Sequence, residues 1–266
     1  MTTTVYSGTI RYFRRRAGAF RRFRWKRAAV VYGIVTVGAF FALNWVYQVA
    51  RKPVQILAPI SSSFLKSPQS TWASYGSLFE KHSTSILSPE FLAALAQVEA
   101  SGNPIASTYW RWQWSWNPLE IYRPASSAAG MFQITDGTFA EARRYCIRDH
   151  QVVSDEGWPG LGSCWFNSLY SRTVPSHAIE MTAAHLHRRV TRTLDARPTL
   201  EPTPAQKQRL AAVIHLCGAN KGQSFAARGF RVTSGERCGT HSVRRYLRTV
   251  EAMQRRFARL RAGVPS

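Results

Sequence analysis

Glu99 stands where one carboxyl can serve in turn as an acid and as a base. It closes a stretch in which Phe91, Leu92, Leu95 and Val98 recur at three- and four-residue spacings, the period of a helix with an apolar face. Ser88 suits the N-cap, Pro89 the first turn and Glu90 the positive end of the helix dipole. Gly102, Asn103 and Pro104 then stop the helix. At that end the dipole and apolar neighbours both oppose negative charge on a carboxyl. Such a place suits a group that must hand a proton to a leaving oxygen and take one back.

Other residues bear on chemistry nearby. In Tyr109-Trp110-Arg111-Trp112-Gln113-Trp114-Ser115-Trp116 a tryptophan recurs at every second position, so an extended segment would show four indoles on one face. Flat apolar rings with an N–H donor fit the faces of sugar rings; the same rings also pack a hairpin onto a domain, or dip into a membrane. Glu120 and Asp136 read either as a second carboxylate or as a surface group and a helix start. His185 and His187 are two apart, on different sides of a helix, so no metal pair is expected there. The chain carries no H-E-x-x-H, G-x-S-x-G, P-loop or G-x-G-x-x-G motif. Neither a metal nor a cofactor is expected.

Two pieces taken together narrow the chemistry. Glu99-Ala100-Ser101-Gly102-Asn103-Pro104 is followed by Gly130-Met131-Phe132-Gln133-Ile134-Thr135, with Ser126-Ser127-Ala128-Ala129 between them. This pattern resembles the SLT-domain lytic transglycosylases, relatives of goose-type lysozyme. That family shows a helix ending in Glu-Ser, then Asn-Pro, an Ala-rich turn and Gly-Leu-Met-Gln-Ile-Met. Thr138, Phe139 and Ala140 in the following helix match as well. The resemblance covers roughly residues 88–260, about two thirds of the chain.

The resemblance implies an α-rich, lysozyme-like domain with Glu99 as catalytic carboxyl. It places Ser127, Gly130, Met131, Phe132 and Gln133, with His215, at the sugar groove. The family cleaves the β-1,4 bond after N-acetylmuramic acid. The sugar's own 6-hydroxyl attacks, leaving a 1,6-anhydro product without adding water. One carboxyl can then suffice, protonating the leaving oxygen and later accepting the proton of the attacking hydroxyl. A hydrolase of the same fold, with water as nucleophile, shares these motifs; a non-catalytic glycan-binding scaffold is a further alternative, but it predicts loss of Glu99, which is present.

Departures from the family pattern are specific. Ala100 stands where the family has serine, and the interval from Pro104 to Gly130 is long. The family's Ala-Tyr-Asn-Ala-Gly falls on Ile214-His215-Leu216-Cys217-Gly218. His215 therefore replaces the tyrosine that approaches the catalytic glutamate. It reads either as a hydrogen-bond partner of Glu99 or as a packed helix histidine.

The elements that must position these groups are mostly helical. Besides the helix ending at Glu99, the patterns predict helices over 136–147, 176–194, 204–216 and 242–260. The last has Val243, Leu247, Val250, Met253, Phe257 and Leu260 on one face, which reads as packing on the domain, with membrane or wall contact as the alternative. Residues 51–87 read as a Ser-rich stalk opening near Pro53, holding a short helix near 72–81. No alternation of strands and helices suggests a parallel sheet. The four cysteines, Cys146, Cys164, Cys217 and Cys238, suit an oxidising compartment and lack zinc-type spacing. They allow three pairings; Cys146–Cys164 and Cys217–Cys238 close the shortest loops and are the expected pair.

Upstream, residues 28–50 contain no charge. As a helix they would run about 34 Å, enough to cross a hydrocarbon core of about 30 Å. An uncleaved anchor is the preferred reading over a cleaved signal peptide or a buried core helix. The chain carries 36 Lys and Arg against 14 Asp and Glu, a net +22. Nine of those basic residues lie between Arg11 and Arg27, against Arg51 and Lys52 just after the apolar stretch, so the N-terminus is expected in the cytoplasm. The expected organisation is a basic cytoplasmic arm over 1–27, a transmembrane anchor over 28–50, a stalk over 51–87 and a lytic domain over 88–262. The fold class is then mainly α, a lysozyme-like SLT domain with an N-terminal transmembrane helix.

The expected location is the bacterial inner membrane, single-pass, with the catalytic domain in the periplasm. The expected partners are peptidoglycan glycan strands and the inner membrane through residues 28–50, with envelope machinery as a further candidate. Nucleic acid is not expected, because positive-inside topology accounts for the basic arm and no nucleic-acid motif occurs.

Overall fold

The apolar stretch and the basic arm before it form one uninterrupted helix in the computed structural model, which describes residues 5–154 and 164–263. This helix, α1 (Val5–Arg51), is 47 residues long. Its part from Trp25 to Arg51 is long and apolar enough to cross a membrane. Val30, Val31, Ile34, Val35 and Val37 point outward on it. The chain divides into two compact units, one made of Met1–Pro53 with Arg111–Arg123 and the other of Val54–Trp110 with Pro124–Ser266.

Within the first unit, polar residues in the apolar stretch decide what packs on α1. Asn44 and Gln48 share a helix face one turn apart. Their amide nitrogens donate to the Leu119 carbonyl at 2.8 and 2.9 Å. A buried amide left without a partner would cost about 1–3 kcal/mol, so the 111–123 segment satisfies groups that α1 alone cannot. Phe41 meets the rings of Trp112 and Tyr122 edge-on, with centroids 6.1 and 5.7 Å away.

The second unit is mainly helical. Its helices are α2 (Pro68–Lys81), α3 (Pro89–Ala100), α4 (Asp136–Ala142), α5 (Pro175–Asp195), α6 (Pro204–Cys217), α7 (Ala219–Ala227) and α8 (Val243–Arg261). Three two-stranded ladders occur among the described residues: β1 (Trp110–Trp112) with β2 (Tyr122–Pro124), β3 (Tyr145–Arg148) with β4 (Gln151–Ser154), and β5 (Arg237–Cys238) with β6 (His241–Ser242). α3 packs against α2 and α8, while α5 packs on α6. The core between them holds Phe79, Phe91, Leu92, Phe132, Met181 and Phe257, each fully buried.

Local signals explain the start and stop of α3. The Ser88 hydroxyl accepts from the Phe91 N–H at 3.2 Å, and Pro89 takes the first turn. Ser101 adopts a left-handed conformation at the other end, and its N–H bonds back to Gln97 while that of Gly102 reaches Ala96. The left-handed residue with its bond back to Gln97 is an αL-type stop.

Two expectations are corrected and one helix was not foreseen. The short helix expected near 72–81 is present as α2, but it and its exit bury Phe79 and Leu87 in the core rather than standing in a stalk. The helix expected over 136–147 ends at Ala142, because residues 145–148 pair with 151–154 instead. The Ile147 N–H there donates to the buried Glu180 carboxylate at 2.8 Å. α7 was not expected; its mixed Asn, Lys, Gly and Gln composition hides an apolar edge that buries Phe225 and Ala226. The expected cysteine pairs do meet, with Cα atoms 5.6 Å apart for Cys146 and Cys164 and 5.4 Å for Cys217 and Cys238.

Candidate functional site

Glu99 occupies the last turn of α3, and two other helices bring groups to it. The Tyr246 hydroxyl, from the first turn of α8, donates to Glu99 Oε1. His215 Nε2, from the last turn of α6, lies 3.6 Å from the same oxygen. The Glu99 and His215 side chains keep 17% and 14% of their surface exposed. Tyr246 is 8% exposed. The site is therefore sheltered on the protein side yet open to a ligand. Both contacts fall on Oε1, and among the described residues none bonds Oε2, which leaves it for an incoming group.

Burial pushes the Tyr246 phenol well above its usual value, and the facing Glu99 carboxylate adds to that. Tyr246 thus stays a neutral donor at ordinary pH. The residue did not stand out in the sequence. It lies on the buried face of its helix, three residues after Val243 and four before Val250. A hydroxyl on an otherwise aliphatic stripe is the signal that marks it.

The Cys217–Cys238 link explains how α6 and α8 hold station at this point. Cys217 ends α6 two residues after His215, and Cys238 belongs to the short β5–β6 turn that leads into α8. Behind His215, burial drives His185 on α5 down to about 4, so it stays neutral. Its Nδ1 is buried without a hydrogen-bond partner.

The second motif piece docks on the chain that follows Glu99. The Gly130 N–H donates to the Ala106 carbonyl at 2.8 Å, and Ser107 bridges Ala129. Gly130 has φ +78°, and a Cβ there would lie 2.0 Å from the Arg172 carbonyl oxygen. Arg172 in turn donates to the carbonyls of Ser127 and Ile134 at 2.9 and 2.8 Å. Gln133 uses its amide nitrogen inside this loop, on Gly130 at 3.0 Å. The Ser127 hydroxyl accepts from the Asp136 N–H at 3.1 Å.

Not every expected site residue faces outward. Met131 and Phe132, expected to line a sugar groove, are both 0% exposed. Their side chains fill the core under the loop, so any contact with a ligand at this loop falls to its backbone, Ser127 and Gln133. Asp136 pairs with Arg172 at 2.8 Å. Glu120 pairs with Arg51 and Arg123 in the first unit. Each of these acids has a structural partner.

Asn103 anchors the turn after Glu99, donating to the Ser61 carbonyl at 2.6 Å and accepting from the Ile105 N–H at 3.0 Å. A cavity of about 470 Å³ lies elsewhere, lined by Glu90, Phe91, Arg209, Leu247 and Glu251 among others. Glu90 is nine residues from Glu99, about 13 Å along α3, and the chemical groups at Glu99 do not line that cavity. The chain matches no protein-family model and no curated protein sequence.

Proposed function

We propose that the second unit cleaves peptidoglycan glycan strands as an SLT-type lytic transglycosylase, with Glu99 as its general acid and base. The observation that carries this reading is the carboxyl at the end of α3, held through Oε1 by Tyr246 beside His215, with Oε2 free. In the first step protonated Glu99 gives its proton to the leaving glycosidic oxygen as the C1–O bond breaks. The substrate's acetamido oxygen stabilises the cation at C1. In the second step the 6-hydroxyl oxygen bonds to C1 and its proton passes to the Glu99 carboxylate. Atoms balance with no water consumed, and Glu99 returns protonated.

Location follows the same reading. α1 spans the bacterial inner membrane with its basic end in the cytoplasm, and the second unit stands in the periplasm. The paired cysteines fit an oxidising compartment.

The test is digestion of purified sacculi by the full chain in detergent. The wild type is expected to release soluble muropeptides. Glu99→Gln keeps the shape and loses the proton, and should lower release at least a thousandfold while leaving the thermal transition unchanged. Equal release by both proteins would remove Glu99 from the reaction. Tight sacculus binding without release by either would mark a scaffold.

A further inference from the structure

We infer that the 111–123 segment is a membrane-seated element, which joins the outer end of α1 in one aromatic surface lodged at the headgroup–acyl boundary. The inference rests on the reading of α1 as a membrane span. The segment packs on the apolar stretch itself. Trp112 meets Phe41, ten residues before Arg51 and so about 15 Å inward along the helix. The segment's contacts thus run along α1 from Phe41 out to Arg51, and its outer part stands where the span leaves the lipid.

Where the segment meets α1, polar groups of both are paired. The Leu119 carbonyl takes both amides of Asn44 and Gln48. The Gln113 N–H reaches the Ile121 carbonyl at 2.8 Å, and the Leu119 N–H reaches Asn117 Oδ1 at 3.0 Å. Asn117 also donates to the Tyr47 hydroxyl at 3.1 Å. Glu120, the one acid of the segment, is neutralised by Arg51 and Arg123.

What remains outward is aromatic and basic. Trp112, Trp114 and Trp116 are 62%, 80% and 92% exposed. Indoles with a polar N–H on an apolar body favour the membrane interface, and Asn117 of the segment donates to the Tyr47 hydroxyl of α1. Arg51, Lys52, Arg111 and Arg123 leave positive charge for anionic headgroups. A glycan strand fits the same rings, but the segment is held along α1 from Phe41 to Arg51, beside the lipid that the span crosses, so lipid is the occupant.

The test uses the full chain, labelled with 5-fluorotryptophan, in nanodiscs of mixed zwitterionic and anionic phospholipid. Fluorine resonances of Trp45, Trp114 and Trp116 are assigned by single Trp→Phe variants. A spin label on the upper acyl chain is expected to broaden all three several times more than a soluble gadolinium chelate does. Broadening of Trp45 by lipid with Trp114 and Trp116 relaxed by the chelate would overturn the inference while leaving the span intact. Shifts of Trp114 and Trp116 on adding muramic-acid oligosaccharides, without lipid broadening, would do the same and reassign the rings to sugar. A Trp45 resonance blind to lipid would overturn the span and the inference together.

Discussion

A carboxyl that gives a proton and then accepts one must keep an oxygen free for the substrate, and at Glu99 the restraint falls on Oε1 alone. Tyr246 holds that oxygen by a buried hydrogen bond, and losing the partner of such a group costs about 1–3 kcal/mol. Tyr246→Phe removes the hydroxyl and keeps the buried ring. Turnover on sacculi should fall roughly 10- to 100-fold, with KM and the thermal transition little changed; an unaltered turnover would deny Tyr246 a positioning role. Glu99 stood out in the sequence because a helix stop follows it, whereas His215 read equally as its partner or as a packed helix histidine until the two were placed 3.6 Å apart. Tyr246 did not stand out, since its link to Glu99 spans 147 residues and its own helix reads as a plain apolar stripe. Met131 and Phe132 mislead for the opposite reason: a motif marks position but not which way a side chain turns.

His185 adds a pH dependence at the same scale. Burial lowers it from an ordinary 6.5 to about 4, so the unfolded chain takes up the proton first. The stability linked to it is present above pH 6.5 and is lost as pH falls through about 4. The loss reaches about 3 kcal/mol below that point. Burial depresses His82, His177 and His187 as well, in the same sense. The urea midpoint should therefore drop between pH 7 and pH 4.5, and less so in His185→Gln. A midpoint that rises over this interval would contradict the burial.

Among the elements, the exit of α3 sets where Glu99 points. Gly102 has φ +64°, and a Cβ there would lie 2.2 Å from Thr71 Oγ1. Thr71 is itself fixed, donating to Gln97 at 2.7 Å, so α2 cannot yield without losing its tie to α3. Gly102→Ala should cost about 2 kcal/mol or more, seen as a lowered thermal midpoint together with reduced sacculus cleavage. A variant as stable as the wild type would show that the turn is not tightly held. Ser88, Pro89 and Gly102 made α3 legible because caps are local. α4 stopped short of its apolar pattern because Cys146 and Ile147 find partners at Val153 and Glu180, and such contacts leave no periodic trace. Residues 68–87 looked like a stalk because serine is frequent there, yet a few large side chains such as Phe79 suffice to draw α2 into the core.

For the whole molecule, charge and hydropathy separate a basic arm and an apolar helix from the rest, and that division was legible without contacts. The docking of 111–123 on residues 41–51 was not, since Asn44 and Gln48 look like flaws in a span until Leu119 is placed beside them. The central claim concerns what the sheltered carboxyl does to a glycan, and mass spectrometry of the muropeptides released from sacculi tests it most directly. Products ending in 1,6-anhydro-N-acetylmuramic acid from the wild type, and none from Glu99→Gln, are predicted. Reducing ends that carry an added water would contradict the transglycosylase and make the site that of a hydrolase.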